Sequence, residues 1–145
     1  MLSEYPYKFH DVDWLSAATD IMDIRRKVFV VEQRFDEAVV FDEHDSQSFH
    51  VLVTDDFGIP VGCGRLVPDG HIGKIGVLIN HRAHGIGSGI LSKLIDIAKK
   101  NRIFNLNLST ETELTGFYDH LKFHAVGPVY MKQGVPYQRM TKRIS

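Results

Sequence analysis

Ile75-Gly76-Val77-Leu78-Ile79 leads into Arg82-Ala83-His84-Gly85-Ile86-Gly87-Ser88-Gly89, and the chain then runs through Ile90 to Ala98. The first segment is β-rich, the second is a glycine-rich turn, and the third repeats its apolar residues at helical spacing. Ile86, Ile90, Leu91, Leu94, Ile95 and Ala98 fall three and four apart and form one stripe. Lys99 and Lys100 suit the negative end of that helix. At the other end the first backbone N–H groups have no partner inside the helix and favour an anion. Glycine at 85, 87 and 89 lets phosphate oxygens approach without meeting a Cβ. Arg82, with His81 and His84, adds positive charge. A nucleotide-derived cofactor is the expected ligand of this turn.

Two other glycine-rich devices fail on spacing. A dinucleotide fingerprint needs glycine three places after Gly87, where Ile90 stands. A Walker loop needs Gly-Lys-Ser/Thr, and no such string occurs.

The 145 residues, 43% hydrophobic and 24% charged, suffice for a single domain, 1–145, with its own core. A formal net charge of −1 gives no bulk electrostatic reason to expect nucleic acid. No apolar run reaches the ~18 residues of a membrane helix. Met1-Leu2-Ser3-Glu4-Tyr5 lacks a signal-peptide pattern, so a cytoplasmic protein is expected. Cys63, the single cysteine, allows no internal disulfide and reads as a buried structural thiol within a strand.

Hydrophobic patterning divides the rest of the chain. Tyr5 to His10 reads as a first strand, and Trp14 to Glu32 as a helix with Ala17, Ile21, Ile24, Val28 and Val31 inward. Asp13 or Ser16 is its expected cap. Arg34 to Ser48 is acidic and aperiodic, a loop or a short second helix. Phe49–Thr54, Pro60–Val67 and Ile72–Ile79, with turns at Asp55–Gly58 and Pro68–Gly70, form an antiparallel meander. Ile103–Leu108 is a strand and Glu113–His120 a short helix. Gly127-Pro128 breaks the chain before closing strands at Val129–Met131 and Tyr137–Lys142. The order describes an α/β mixture around one central sheet.

These residues carry a resemblance. Arg82-Ala83-His84-Gly85-Ile86-Gly87 resembles the Arg/Gln-x-x-Gly-x-Gly/Ala signature of the GNAT N-acyltransferase superfamily. Phe117-Tyr118-Asp119-His120-Leu121-Lys122-Phe123 resembles the family's second signature, Phe-Tyr-x-x-Leu-Gly-Phe, with Lys122 in place of glycine. Ile24-Arg25-x-x-Val28-Phe29-x-x-Glu32-Gln33, then Asp42-Glu43-x-Asp45 with His50, is similar to the ElaA-like branch. Gly134-Val135-Pro136-Tyr137-x-x-Met140 is similar to that branch's Gly-Ile-Pro-His-x-x-Met ending. Thr110-Glu111 replaces the branch's Ala-Gln.

The resemblance implies a mixed, mostly antiparallel sheet with helices on both faces, and an acyl-CoA donor, acetyl-CoA first among them. It implies backbone groups of Ile75 and Val77 on the pantetheine arm. The pyrophosphate would sit on Ala83, His84, Gly85, Ile86, Gly87 and Ser88 beside Arg82. Tyr118 would assist the departing thiolate. Glu111, Glu32, His50 and His71 are candidate bases, with a water chain as an equal alternative; Glu111, ending a strand beside the implied acyl site, is the first to test. The acceptor would be an amine, on a small molecule or a peptide. An edge strand near the C-terminus is suited to pairing with a second copy.

Two other functional readings compete. Acyl-homoserine lactone synthases share the Arg-x-x-Val-Phe and acidic segments, but the Arg82–Gly87 turn argues against them. A CoA-binding sensor without turnover would keep the cleft and lose the chemistry. Eight histidines raise the question of a metal, yet no His-Glu-x-x-His string occurs and Cys63 has no partner, so none is expected. The acidic residues Asp36, Glu37, Asp42, Glu43 and Asp45 are either a solvated loop or a lure for a cationic amine at the acceptor entrance.

Overall fold

The computed structural model describes residues 6–145. Its elements are β1 (Lys8–Val12), α1 (Trp14–Arg25), β2 (Phe49–Thr54), β3 (Pro60–Leu66), β4 (Ile72–Val77), α2 (Ile86–Lys100), β5 (Asn105–Glu111), α3 (Thr115–His120), β6 (His124–Lys132) and β7 (Val135–Arg143). The first strand was expected at Tyr5–His10; it covers Lys8–Val12, and Tyr5 lies outside the described residues.

Alternation along β2 sends successive residues to opposite faces. Val51 and Val53 pack with Val61 against Ile86, Ile90, Leu91 and Leu94 of α2. Leu52 turns the other way and joins Cys63 under Ala17, Ile21 and Ile24 of α1. One helix therefore covers each face, as expected. The α2 stripe is buried at Ile86, Ile90, Leu91, Leu94, Ile97 and Ala98. Ile97 takes the inward place that spacing had assigned to Ile95.

The sheet is divided rather than continuous. One ladder runs β1-β2-β3-β4 and the other β5-β7-β6. They meet at a parallel bridge between His71 and Asn107, where Asn107 N–H donates to Gly70 O at 3.0 Å. Beyond it β4 and β5 diverge. β4 also carries a bulge: Cys63 faces Gly76 and Arg65 faces Gly73, so Gly64 is opposed by both Lys74 and Ile75. Lys74 has φ +51 there. Bulges bend a strand, and this one turns β4 away from β5 to open a cleft.

The expected helix from Trp14 to Glu32 is regular only to Arg25. Asp13 caps it by accepting from Ser16 N–H at 2.8 Å. Arg26–Glu32 is a π-helical stretch, with Gln33 N–H donating to Val28 O. The wider turn shifts the helical phase, so Val28 stays buried while Val31 is 66% exposed. The Gly127-Pro128 break is also milder than expected. β6 runs through it, absorbing Gly127 at φ +74 as a register shift between Val126 and Tyr130.

Residues 34–48 form a largely exposed loop rather than a regular helix, with Val40 and Asp45 buried. They contain two 3-10 turns, Glu37–Val39 and Asp45–Gln47, tied to the core by buried charge. Asp45 accepts both guanidinium nitrogens of Arg25 at 3.0 Å. Arg65 bridges Asp45 (3.1 Å) and Asp42 (2.7 Å), and Lys74 reaches Asp42 at 3.1 Å. Trp14 covers the Arg25 guanidinium 5.4 Å from its ring centre. The branch-like residues Arg25, Asp42, Asp45 and His50 therefore build a buried ionic clasp.

Candidate active site

The loop between β4 and α2 follows from local rules. Gly85, at φ +76, caps α2 without a side-chain bond, so the first N–H groups of the helix face outward unspent. A Cβ placed on Gly87 would meet nothing within 4 Å, which leaves open space in front of those donors. Gly89 serves packing: a Cβ there would lie 2.5 Å from the Phe9 ring. The turn thus fits a phosphate chemically and sterically.

Two of the three basic residues of the turn, Arg82 and His81, are already engaged. Arg82 forms a bidentate pair with Glu32, and its Nε donates to Val77 O at 2.9 Å. Hydrogen bonding to Arg82 holds the Glu32 carboxyl below the usual range. His81 Nδ1 is hydrogen-bonded to the Tyr7 hydroxyl at 2.9 Å. His84 is exposed.

Pairing geometry settles where β4 presents its backbone. Leu78 N–H donates to Val61 O at 2.9 Å, so the next pair, Gly62–Val77, is a non-hydrogen-bonded one. Val77 therefore turns its N–H and C=O away from β3, into the cleft between the two ladders. Arg82 takes the carbonyl. The N–H points where a carbonyl oxygen could be received.

Two cavities meet in the cleft. One, about 420 Å³, is lined by Ile75, Val77, Arg82, Ala83, Gly85–Ser88, Phe117 and Tyr118. The other, about 340 Å³, lies between β4, β5 and the π-helical turn, with Phe29, Phe35, Lys74, Glu111, Lys132 and Tyr137 in its wall. Gln33, Ile75, Leu114 and Tyr118 belong to both. Tyr118 thus stands at the junction. Its ring is fixed edge-on to Phe117 (5.1 Å) and Phe123 (5.8 Å), and burial pushes its phenol up.

Of the residues singled out in sequence, Ile75, Val77, Arg82, Ala83, Gly85, Ile86, Gly87 and Ser88 line one cavity, with Tyr118 at its inner end. His84 sits on the opposite side of the loop, beside Tyr7. Glu111 ends β5 in the second cavity. The other candidate bases are not presented to this cavity. Glu32 is paired with Arg82. His50 is fully buried, bonds Asp45 O at 2.8 Å, and is kept neutral by burial. His71 Nδ1 bonds Asn107 Oδ1 at 2.7 Å at the strand bridge. Among the described residues no cluster suits a metal ion. Asp42 and Asp45 are not an acceptor lure, because their charge is consumed by Arg25, Arg65 and Lys74.

Phe35, Lys74 and Lys132 carried no sequence signal for the cavity. Tyr137 did, as the departure from histidine in the C-terminal motif. Lys122 also finds its reason. It follows α3 at φ +70, with Phe123 N–H donating to Tyr118 O and Lys122 N–H to Asp119 O. That is a Schellman closure, whose left-handed position favours glycine. The departure concerns the turn, not the cleft.

Comparison with known proteins agrees with this geometry. Residues 18–144 match the model of the acetyltransferase (GNAT) domain. The Bacillus subtilis (strain 168) protein YyaT is 37% identical over 132 residues, 87% of this chain and 88% of YyaT. The N-acetyltransferase YjcF of the same organism is 30% identical over 127 residues, 85% of this chain and 90% of YjcF. Escherichia coli ElaA superposes with a TM-score of 0.84 at 22% identity, covering 94% of this chain and 99% of ElaA. An acyl-CoA N-acyltransferase from Pseudomonas aeruginosa gives 0.83 at 22% identity over 94% of this chain and 99% of that one. With a splayed sheet, an uncapped glycine turn and this match over most of its length, the chain belongs to the GNAT acetyltransferase family.

Proposed function

We propose that this protein transfers an acetyl group from acetyl-CoA directly to a primary amine. The observation that carries the reading is the meeting of three groups in one cleft: the outward N–H groups of α2, the inward-turned Val77 N–H, and the Tyr118 phenol. The turn from Ala83 to Ser88 would hold the pyrophosphate, and Ile75 and Val77 the pantetheine arm. Arg82 would steady the turn through Val77 O.

The amine would enter from the cavity bounded by Glu111 and Tyr137. A free ammonium of pKa ~10.4 costs ~4–5 kcal/mol to deprotonate at neutral pH. Glu111 would take that proton, directly or through water, and free the lone pair that attacks the thioester carbon; the second proton leaves the nitrogen to water as the tetrahedral intermediate collapses. The new C–N bond forms and charge collects on the carbonyl oxygen, opposite the Val77 N–H. The C–S bond then breaks, and the thiolate takes a proton from Tyr118, which is restored from solvent. Net, one acetyl group moves to nitrogen and one proton is released. No acyl-enzyme is required, and Cys63 is unsuited to one: it is buried, with its thiol pushed up to about 11 by burial.

The edge strand β6 exposes Val126, Val129 and Met131, and pairing with a second copy through it belongs to the same reading. Release of CoA thiol over a panel of amines tests the function. Consumption that depends on the amine and falls with Tyr118→Phe supports transfer. Tight CoA binding without consumption of any amine would instead support a sensor that retained the cleft.

A further inference from the structure

The acceptor cavity holds two opposite charges that do not neutralise each other. Lys132 ends β6, and the Gln133–Gly134 turn folds it back over the cavity. Its Nζ lies 5.1 Å from the centre of the Phe35 ring and 5.4 Å from that of Tyr137. Both rings belong to the cavity wall. Aromatic faces attract an ammonium, so these two rings favour a position of the charge at the cavity opening, where Lys132 is solvent-exposed. Among the described residues Lys132 forms no ion pair.

Glu111 lines the same cavity wall. It stands opposite Tyr137 in the β5–β7 register. Burial first, and then the negative charge of Glu111, push the Tyr137 phenol up, so the carboxylate is near enough to act on it. Glu111 too forms no ion pair among the described residues. The other cation in the wall, Lys74, is already committed: its Nζ donates to Val39 O at 2.8 Å and pairs with Asp42. Lys132 is therefore the uncommitted cation of this cavity, and Glu111 the uncommitted anion.

We propose that the acceptor is an amino carboxylate, bound with its amine toward Glu111 and Tyr118 and its carboxylate on Lys132. The inference rests on the transferase reading above and names its substrate class. A diamine would press its second ammonium against Lys132, and a plain alkylamine would leave both the lysine and its own tail uncompensated. Unlike charges at the rim steer the correct end inward, and like charges reject the reversed one.

The test compares ω-amino carboxylates with α,ω-diamines of equal chain length, by CoA release at saturating acetyl-CoA. Wild type should favour the amino carboxylates by about tenfold or more in kcat/KM, carried mainly in KM, and lose that preference at high salt. Lys132→Glu should invert the order, and Lys132→Met should level it. Acetyl-CoA affinity by calorimetry reports an intact donor site in each variant. Preference of wild type for the diamines, or an order unchanged in Lys132→Glu, would overturn the assignment while leaving the transferase reading standing. If acetyl-CoA binds but neither class of amine is consumed, the acceptor assignment fails; the transferase reading fails with it only when no amine of the wider panel is consumed either.

Discussion

Arg82 and Glu32 form a bidentate ion pair between the glycine turn and the end of the π-helical stretch, while Arg82 Nε also holds Val77 O. The pair closes one flank of the cleft and fixes the carbonyl beside the proposed oxyanion donor. It also cancels much of the positive charge that the turn would otherwise offer. Glu32→Gln should therefore tighten CoA binding several-fold at low ionic strength, with a steeper salt dependence. Arg82→Ala should weaken it, because both the charge and the tether to Val77 O are lost. Calorimetric titrations at two salt concentrations check both; equal affinities for wild type and Glu32→Gln would show that the guanidinium takes no part in anion binding.

The buried clasp predicts a large stability effect far from the cleft. Arg25 and Asp45 have side chains 1% and 0% exposed. Removing one partner strands the other in the core, which costs about 3–5 kcal/mol. Asp45→Asn should show a loss of this order in urea denaturation. A loss below about 1 kcal/mol would mean that water reaches the site freely.

The same cluster sets the acid response. Burial pushes His50 below its ordinary value. For Asp42 and Asp45, burial acts to raise the carboxyl, but hydrogen bonds from Arg65 and Arg25 outweigh it and hold both low. All three groups bind protons more readily in the unfolded chain than in the folded one. Stability must therefore fall as pH drops below the unfolded histidine value of ~6.5, and fall further below the unfolded carboxylate value of ~3.9. Urea midpoints at pH ~7.5 and ~5.5 isolate the His50 part, and His50→Gln should flatten that interval.

Much of this was legible in the chain because it is local. The stripe Ile86, Ile90, Leu91, Leu94 and Ala98, the glycine turn and the β2–β3–β4 meander depend on neighbours a few residues apart. A splayed fourth strand near Val77 was expected too; the bulge at Lys74 that accompanies it was not, because only the pairing with β3 reveals it. Within the acidic run from Asp36 to Asp45, Asp36, Glu37 and Glu43 are solvated while Asp42 and Asp45 are drawn inward, and the letters do not distinguish them. Only the approach of Arg25, Arg65 and Lys74, from three other elements, decides between them. Lys132 enters the acceptor cavity through a hairpin whose register no spacing announces.

Lys122 offers a stabilising substitution. A non-glycine residue in the left-handed position after α3 costs about 1 kcal/mol. Lys122→Gly should raise unfolding free energy by that order, less the ~0.5 kcal/mol of freedom gained by the unfolded chain. It should leave CoA affinity unchanged, since the residue lines neither cavity. A drop in Tm would show that the lysine is held there by a favourable contact of its own.

Tyr118→Phe removes the phenol but keeps the ring wedged against Phe117 and Phe123. A proton donor to the leaving thiolate accounts for about 10²–10⁴ in rate, so kcat should fall within that range while acetyl-CoA affinity holds. An unchanged kcat would move the proton to water.

The central claim is that the turn from Ala83 to Ser88 receives the pyrophosphate of an acyl-CoA, and calorimetry of acetyl-CoA with wild type and Gly87→Glu tests it most directly. A Cβ at Gly87 would meet no protein atom within 4 Å, so the variant should fold normally while placing bulk and negative charge where the phosphates would lie. Micromolar binding by wild type and none by the variant is the predicted result. Equal binding by both, or no binding by folded wild type, would contradict it.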